Sequence, residues 1–198
     1  AAAARRAIRL PDGSYFLSVS SLEPRKTVRR ILAAWERALP HLPPDTWLVL
    51  AGGAGSGTVF AGLDLRRPPE RVLFPGYLDD KFLPGLYAGA TGFVFPSLAE
   101  GFGFPPLEAM ACGAPVLCAN TSSLLEVAAS AAVLVNPLDV AQIARGIVDI
   151  ALDANLRYVY RLRGLAQAEK FSWDTAARQT WEVLEHEREK LRMGRGRS

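Results

Sequence analysis

Six short runs of apolar residues recur along the chain, and each ends at or beside Gly, Pro, Ser or Asn. Continuous apolar runs of this length are typical of parallel strands that are buried on both faces of a sheet. The pattern therefore predicts six strands, at Tyr15–Ser20, Trp47–Ala51, Arg71–Pro75, Gly92–Pro96, Pro115–Ala119 and Ala132–Val135.

Helical patterns separate these runs. After the first strand, apolar side chains recur every three or four residues, which places them on one helix face. Pro105-Pro106 suits the first turn of a later helix, Gly113 suits its end, and Ser122 suits the cap of the next one. The predicted helices are Thr27–Leu39, Asp79–Ala88, Pro105–Ala111, Ser122–Ala129, 138–152, 154–169 and 172–192.

Strands that alternate with helices across short connections indicate an α/β domain. The pattern favours a Rossmann-like, doubly wound, parallel six-stranded sheet in the order 3-2-1-4-5-6, with helices on both faces and a C-terminal helical appendage. The predicted division is a linker or leading segment at 1–14, the Rossmann-like domain at 15–170, a crossover helix at 171–192 and a flexible basic tail at 193–198.

Composition narrows the class of protein. The chain has 198 residues, 49% of them apolar and 22% charged, which suits a globular domain and excludes intrinsic disorder. Two cysteines and two histidines build neither a disulfide framework nor a zinc motif. The net charge of +3 gives no broad basic face for nucleic acid.

The apolar runs are too short for a membrane-spanning helix, and no signal-peptide core precedes the first strand. We therefore expect a cytoplasmic protein. Contact of the basic tail LRMGRGRS with anionic lipid, at the inner face of the plasma membrane, stays open as an alternative.

Candidate chemistry lies in two loops that the predicted topology makes neighbours. In a doubly wound sheet, ligands bind beyond the carboxyl ends of the strands where the strand order reverses, here between strands one and four. The loop after strand one carries the cations Arg25 and Lys26. The loop after strand four carries Glu100, Gly101 and Gly103. Glycine lets the backbone approach a ligand closely, and cations neutralise an anion.

A helix that begins at Pro105 would add an N-terminal anion site to this crevice, with Glu108 in its first turn. Carboxylates accept hydrogen bonds from sugar hydroxyls. Cations, a helix N-terminus and two carboxylates together predict a sugar nucleotide as ligand.

Other phosphate-binding patterns do not fit this sequence. GGAGSG at 52–57 has no G-x-G-x-x-G register and is followed by Thr58, where a P-loop needs lysine. Asp79-Asp80 is followed by Lys81, so an Asp-x-Asp metal motif is lacking there.

The block from Glu100 to Glu108, EGFGFPPLE, resembles the Glu-x7-Glu signature of retaining glycosyltransferases of family 4, in their C-terminal, donor-binding domain. Further landmarks of that domain follow the same order over about residues 15–190. They are LEPRK from Leu22, RVLFPGYLDD from Arg71, SLLEV from Ser123, AVLVNP from Ala132 and FSW from Phe171. LEPRK and Pro96-Ser97 look like the variants of bacterial mannosyltransferases of polysaccharide biosynthesis.

The resemblance implies a role for each matching residue. Glu100 would contact the donor hexose and stabilise an oxocarbenium-like transition state, and Glu108 would bind the ribose diol. Arg25 and Lys26 would hold the diphosphate and ease its departure, so these two and Glu100 are the implied catalytic residues. The remaining implied donor-binding residues contact sugar, phosphates, ribose or base: Tyr77, Leu78, Gly101, Phe102, Gly103, Phe104 and Leu107.

Two departures from the family pattern lie near the first strand. Ser20-Ser21 stand where many members have Gly-Arg, and Thr27 stands where Asn often follows the lysine. The first departure puts additional demand on Arg25 and Lys26, because they become the remaining cations of that loop.

The resemblance implies transfer of a hexose, with mannose from GDP-mannose as our expectation and UDP-hexose as the other donor, to a glycan or lipid-linked acceptor hydroxyl. It implies retention of configuration and neither metal nor cofactor. Full enzymes of the family have two Rossmann-like domains, and this sequence matches the second. We therefore expect a missing N-terminal, acceptor-binding domain as partner, and little activity from this domain alone. A non-catalytic sugar-nucleotide-binding module and a nucleotide-sugar epimerase of similar fold remain alternatives.

Overall fold

The computed structural model describes residues 1–19, 26–53 and 69–195. Six strands form one sheet in the order β3-β2-β1-β4-β5-β6, with every neighbouring pair parallel. This confirms the predicted fold class and strand order. The strands are β1 (Tyr15–Val19), β2 (Trp47–Ala51), β3 (Val72–Gly76), β4 (Gly92–Phe95), β5 (Val116–Ala119) and β6 (Ala132–Val135).

Helices follow the strands at the predicted places, with ends that differ by a few residues. Short 3-10 turns at Leu39–His41 and Asp80–Phe82 account for two of the differences. The helices are α1 (Ala2–Ala7), α2 (Val28–Ala38), α3 (Leu83–Gly89), α4 (Phe104–Ala111), α5 (Leu124–Ala128), α6 (Val140–Leu152), α7 (Ala154–Ala168) and α8 (Trp173–Arg195).

Strand β1 is the centre of the sheet, with β2 on one side and β4 on the other. Leu17 of β1 pairs with Val49 of β2 and with Phe93 of β4. Because all three strands run in the same direction, the loops that leave β1 and β4 emerge side by side at the carboxyl edge. The strand order reverses between these two strands, so this edge is the expected ligand crevice.

Successive residues of β1 point to opposite faces of the sheet, as the strand geometry requires. Leu17 belongs to a buried cluster with Leu86 of α3 and Met110 of α4. Phe16 belongs to a second cluster with Trp35 of α2. The helices therefore cover both faces, and each face of the sheet has its own core.

Residues 1–14 include helix α1, which no apolar period in the sequence predicts. Ala4, Ile8 and Leu10 of this segment are buried in the same core as α3. A Cβ built at Gly85 of α3 would lie only 3.2 Å from the Cβ of Ala4, which shows how closely the two helices approach. Small residues at a close contact produce no hydrophobic stripe, so the sequence pattern misses such a helix.

The chain divides into two units, Ala1–Ala168 and Glu169–Ser198. In the second unit, α8 forms one continuous helix on which Trp173, Trp181 and Leu184 are exposed. The proposed domain limits and the crossover role of this helix stay predictions.

Within the described ranges, no helix combines the length and the apolar content that crossing a membrane requires.

Candidate functional site

The two predicted loops meet through an ion pair at the switch point. The Nζ atom of Lys26 lies 2.5 Å from Oε1 of Glu100, and the two side chains are only 8% and 9% exposed. The same Nζ lies 4.7 Å from the ring centroid of Phe95, the last residue of β4. A cation and an anion are thus held together, largely out of water, where the sheet opens toward the crevice.

A second contact, made by the residue after Lys26, joins the same two parts of the chain. Thr27 is buried at the start of α2, with a left-handed φ of 57°, and its hydroxyl donates to the carbonyl of Pro96 at 2.7 Å. A threonine at this position can cap the helix itself, but no such hydrogen bond forms here. The residue that departs from the family pattern therefore joins the beginning of α2 to the end of β4.

Hydroxyl groups after β5 hold the backbone around Glu100. The Glu100 N–H donates to Oγ of Ser122 at 3.1 Å, and Oγ of Ser123 donates to the Glu100 carbonyl at 2.9 Å. Thr121 Oγ1 donates to the carbonyl of Leu98 at 3.2 Å. The predicted capping of α5 by serine is therefore wrong: the N-cap residue is Ser123 rather than Ser122, and its side chain makes no capping hydrogen bond. A run of three hydroxyl residues directly after a buried strand was the available signal for this role.

The N-terminus of α4 reaches the crevice with fewer donors than the sequence suggests. The helix begins at Phe104 rather than Pro105, with Gly103 as its N-cap. A helix ordinarily presents four unbonded N–H groups at this end. Pro105 and Pro106 have none, which leaves the amides of Gly103 and Phe104 among those four positions. The sequence predicts an ordinary helix N-terminus here, and the structure corrects this: the unbonded N–H donors are those of Gly103 and Phe104.

The two glycines of the loop have different reasons to be glycine. Gly103 adopts a φ of 113°, and a Cβ there would lie 2.8 Å from Cδ2 of Leu124. At Gly101, a Cβ would meet nothing within 4 Å. The fold itself therefore requires glycine at position 103, whereas the space beside Gly101 is open to a ligand.

Glu108 lies in the second turn of α4, because the helix begins one residue earlier than predicted. This corrects its expected place in the first turn. The residue is exposed, and its Oε2 accepts a hydrogen bond of 3.0 Å from the hydroxyl of Tyr87 on α3. Burial, together with the nearby Glu108 carboxylate, raises the pKa of Tyr87 far above its usual value, so this hydroxyl acts as a donor. Sequence reasoning did not identify Tyr87.

The remaining predicted residues divide by exposure. Tyr77, just after β3, is 77% exposed, whereas Leu78 is half-buried and packs against the core. The exposed rings of Phe102 and Phe104 lie 4.7 Å apart between centroids. Leu107 is half-buried on α4. The predicted contacts of these residues with sugar, phosphate or base stay predictions, and Arg25 lies outside the described residues.

The part of the chain that the structure describes contains no group of three His, Cys, Asp or Glu side chains arranged to hold a metal ion. Burial raises the pKa of the Cys118 thiol to about 12, as expected for a small apolar residue in the core. Cys112 is only half-buried.

Comparison with known protein families shows which family this chain belongs to. The family model described as glycosyl transferases group 1 matches residues 3–167, which include Lys26, Glu100 and Glu108. The chain belongs to this family. The predicted resemblance to glycosyltransferases is confirmed at that level.

Relatives of this group 1 domain include bacterial proteins described as mannosyltransferases. The O-antigen chain mannosyltransferase B of Escherichia coli is 41% identical over 172 residues, which cover 84% of this chain and 44% of the relative. The serotype-specific mannosyltransferase WbdA of the same organism is 37% identical over 172 residues, covering 85% of this chain and 21% of the relative. The chain thus spans less than half the length of these relatives.

Solved structures of the same fold support the topology. A sucrose-phosphate synthase from Thermosynechococcus elongatus superimposes with a TM-score of 0.76 at 27% identity, over 94% of this chain and 48% of its own. HepE from Anabaena, solved with UDP and glucose, gives a TM-score of 0.76 at 24% identity, over 92% of this chain and 51% of its own. At that identity, the second likeness concerns the fold alone.

Proposed function

We propose that this group 1 domain binds the donor of a retaining hexosyltransferase that moves mannose from GDP-mannose to a hydroxyl of a glycan or lipid-linked acceptor, without a metal. The observation that carries the proposal is the buried Lys26–Glu100 ion pair at the switch point. It presents a cation for a diphosphate and a carboxylate for a sugar within one crevice.

The pair prepares both groups before the donor arrives. Ionised groups held in a water-poor site act more strongly than in bulk water and need little reorganisation during the reaction. Lys26 lies against Phe95, so its charge is fixed at the end of β4. The departing diphosphate gains negative charge as the sugar leaves, and the Lys26 ammonium stabilises that charge.

Glu100 serves as a stabilising carboxylate in this proposal. The anomeric carbon gains positive charge as its bond to the diphosphate oxygen breaks. The acceptor oxygen attacks the same face, a new carbon–oxygen bond forms, and the acceptor proton passes to the leaving diphosphate oxygen. A carboxylate that is already ion-paired with Lys26 favours this front-face route over direct nucleophilic attack by Glu100.

Mannose as the transferred sugar is supported by the relatives of this chain. Both Escherichia coli proteins are described as mannosyltransferases, and the nearer one is 41% identical. The chain spans 44% of that relative. We propose that the acceptor is bound by an additional domain of the whole protein, on the N-terminal side as the family resemblance implies.

Titration calorimetry with GDP, UDP, ADP and their hexose forms tests donor binding. We expect GDP and GDP-mannose to bind most tightly. Glu108→Ala should lower the affinity for GDP about tenfold or more, because hydrogen bonds to a charged group contribute about 1.5–3 kcal/mol. Glu36→Ala is the matched control, since it removes an exposed carboxylate from α2.

If none of the three nucleotides binds, the proposed site is wrong. Unchanged GDP affinity in Glu108→Ala would contradict the ribose role of Glu108 alone. Isomerised GDP-sugar formed without any acceptor would instead assign an epimerase.

A further inference from the structure

We propose that Tyr87 is a positioning residue for the ribose of the bound nucleotide, because its hydroxyl sets the orientation of the Glu108 carboxylate. This inference rests on the proposed function, in which Glu108 accepts hydrogen bonds from the ribose hydroxyls. It adds a residue from α3, outside the Glu-x7-Glu block, to the donor site.

Tyr87 is a rigid anchor. Its side chain is 2% exposed, and its ring meets the ring of Phe93 edge to face, at 5.4 Å between centroids and 72° between planes. Phe93 in turn stacks on Phe95 at 5.9 Å. The carbonyl of Leu86, the preceding residue, accepts a 2.6 Å hydrogen bond from the hydroxyl of Tyr15 in β1. Helix α3 is therefore fastened to the central strand beside Tyr87.

Glu108 lies in a more open environment than Tyr87. It is an exposed residue on α4, and a glutamate side chain that emerges into solvent samples several rotamers. The 3.0 Å hydrogen bond from Tyr87 restricts the Glu108 side chain to rotamers that keep Oε2 within hydrogen-bond distance of the Tyr87 hydroxyl. An ionised carboxylate has about four acceptor positions, so this bond leaves capacity for two ribose hydroxyls.

The packed rings of Tyr87, Phe93 and Phe95 also connect to Glu100, the other carboxylate of the site, through Lys26. Phe95, at the far end of the Tyr87–Phe93–Phe95 row, lies under the ammonium group of Lys26, which pairs with Glu100. Both ends of the donor site thus rest on one set of packed aromatic rings. Tyr87 fixes the ribose end as Phe95 supports the diphosphate end, and the ordering of Glu108 precedes nucleotide binding. Pre-ordering of this kind raises affinity because less conformational freedom is lost on binding.

The test compares Tyr87→Phe with Tyr15→Phe in the 198-residue chain. Each change removes the hydroxyl of one buried tyrosine and the hydrogen bond that it donates. The Tyr15 hydroxyl donates to the Leu86 carbonyl of α3, whereas the Tyr87 hydroxyl donates to Glu108. Calorimetry measures the affinity for GDP and UDP, and for the 2′,3′-dideoxy form of the tighter binder. We expect Tyr87→Phe to weaken the ribonucleotide roughly three- to tenfold, and the dideoxynucleotide by less than about twofold. Tyr15→Phe should leave the ratio of the two affinities unchanged.

A double variant closes the test. In Glu108→Ala, adding Tyr87→Phe should cause no additional loss of ribonucleotide affinity, since the carboxylate that Tyr87 orients is already absent. The inference is overturned if Tyr87→Phe weakens binding of the ribonucleotide and of the dideoxynucleotide equally. It is also overturned if Tyr87→Phe lowers ribonucleotide affinity by the same factor in the unaltered chain and in Glu108→Ala. Either result would give Tyr87 a structural role alone. If the unaltered chain binds neither GDP nor UDP, the proposed function fails as well, which separates the two failures.

Discussion

Lys26→Met lowers both the stability of the domain and its affinity for a nucleoside diphosphate. Removing one partner of a buried ion pair leaves the other charge desolvated, at a cost of about 3–5 kcal/mol in enclosed sites. The pair here borders an open crevice, so we expect a loss of roughly 2–3 kcal/mol in the free energy of unfolding. Methionine keeps the length of the side chain and its contact with Phe95. Denaturant unfolding measures the stability, and calorimetry with GDP measures binding.

The double variant Lys26→Met/Glu100→Leu separates the two effects. It replaces both charges by apolar groups, a change that is often neutral for stability. We expect stability to recover most of the loss, while GDP affinity stays low. The backbone contacts of Ser122 and Ser123 with residue 100 do not involve its side chain, so they persist. The role of the Lys26–Glu100 pair in stability and in diphosphate binding would be contradicted if Lys26→Met matched the unaltered chain in both stability and GDP affinity.

Gly103→Ala destabilises the fold and distorts the start of α4. Alanine at a φ of 113° is strained, and its Cβ would lie 2.8 Å from Cδ2 of the fully buried Leu124. Backbone strain of this kind costs about 1–3 kcal/mol, and the displaced leucine adds to it. We expect a fall of roughly 2–4 kcal/mol in the free energy of unfolding, measured by denaturant titration.

Gly101→Ala is the matched control in the same loop. A Cβ there meets nothing within 4 Å, so stability should change by less than about 0.5 kcal/mol. Its effect should fall on GDP-mannose affinity instead, because the added methyl group occupies space that the proposed donor approaches. Equal destabilisation by the two alanines would show that the different environments of the two glycines do not matter.

The alternation of apolar runs and helical patterns predicts the whole sheet, including its strand order. That success has a physical reason, because a parallel strand buried on both faces is mostly apolar, as Leu48–Leu50 and Val116–Cys118 are. The strand order in turn predicts that the loops bearing Lys26 and Glu100 are neighbours. The structure confirms that proximity, while the catalytic roles stay predictions.

Other features have no local signature. Helix α1 is held by the close approach of Ala4 to Gly85, and small residues give no apolar period. Thr27 begins a predicted helix and a serine is predicted to cap α5, yet the Thr27 and Ser123 hydroxyls donate across the sheet edge to other loops. A hydroxyl group suits either partner equally, so only the three-dimensional arrangement decides which acceptor it reaches.

The sequence by itself determined the fold class, the position of the crevice and the resemblance to glycosyltransferases, because these follow from periodicity and from local residue order. Only the tertiary structure decided how the side chains are paired within the crevice. Lys26 and Glu100 are separated by 74 residues, and their side chains meet because β1 and β4 are neighbours in the sheet. Tyr87 and Glu108 are separated by 21 residues, and they meet because α3 and α4 pack in one core. Contacts between distant residues depend on that packing, which no local pattern specifies.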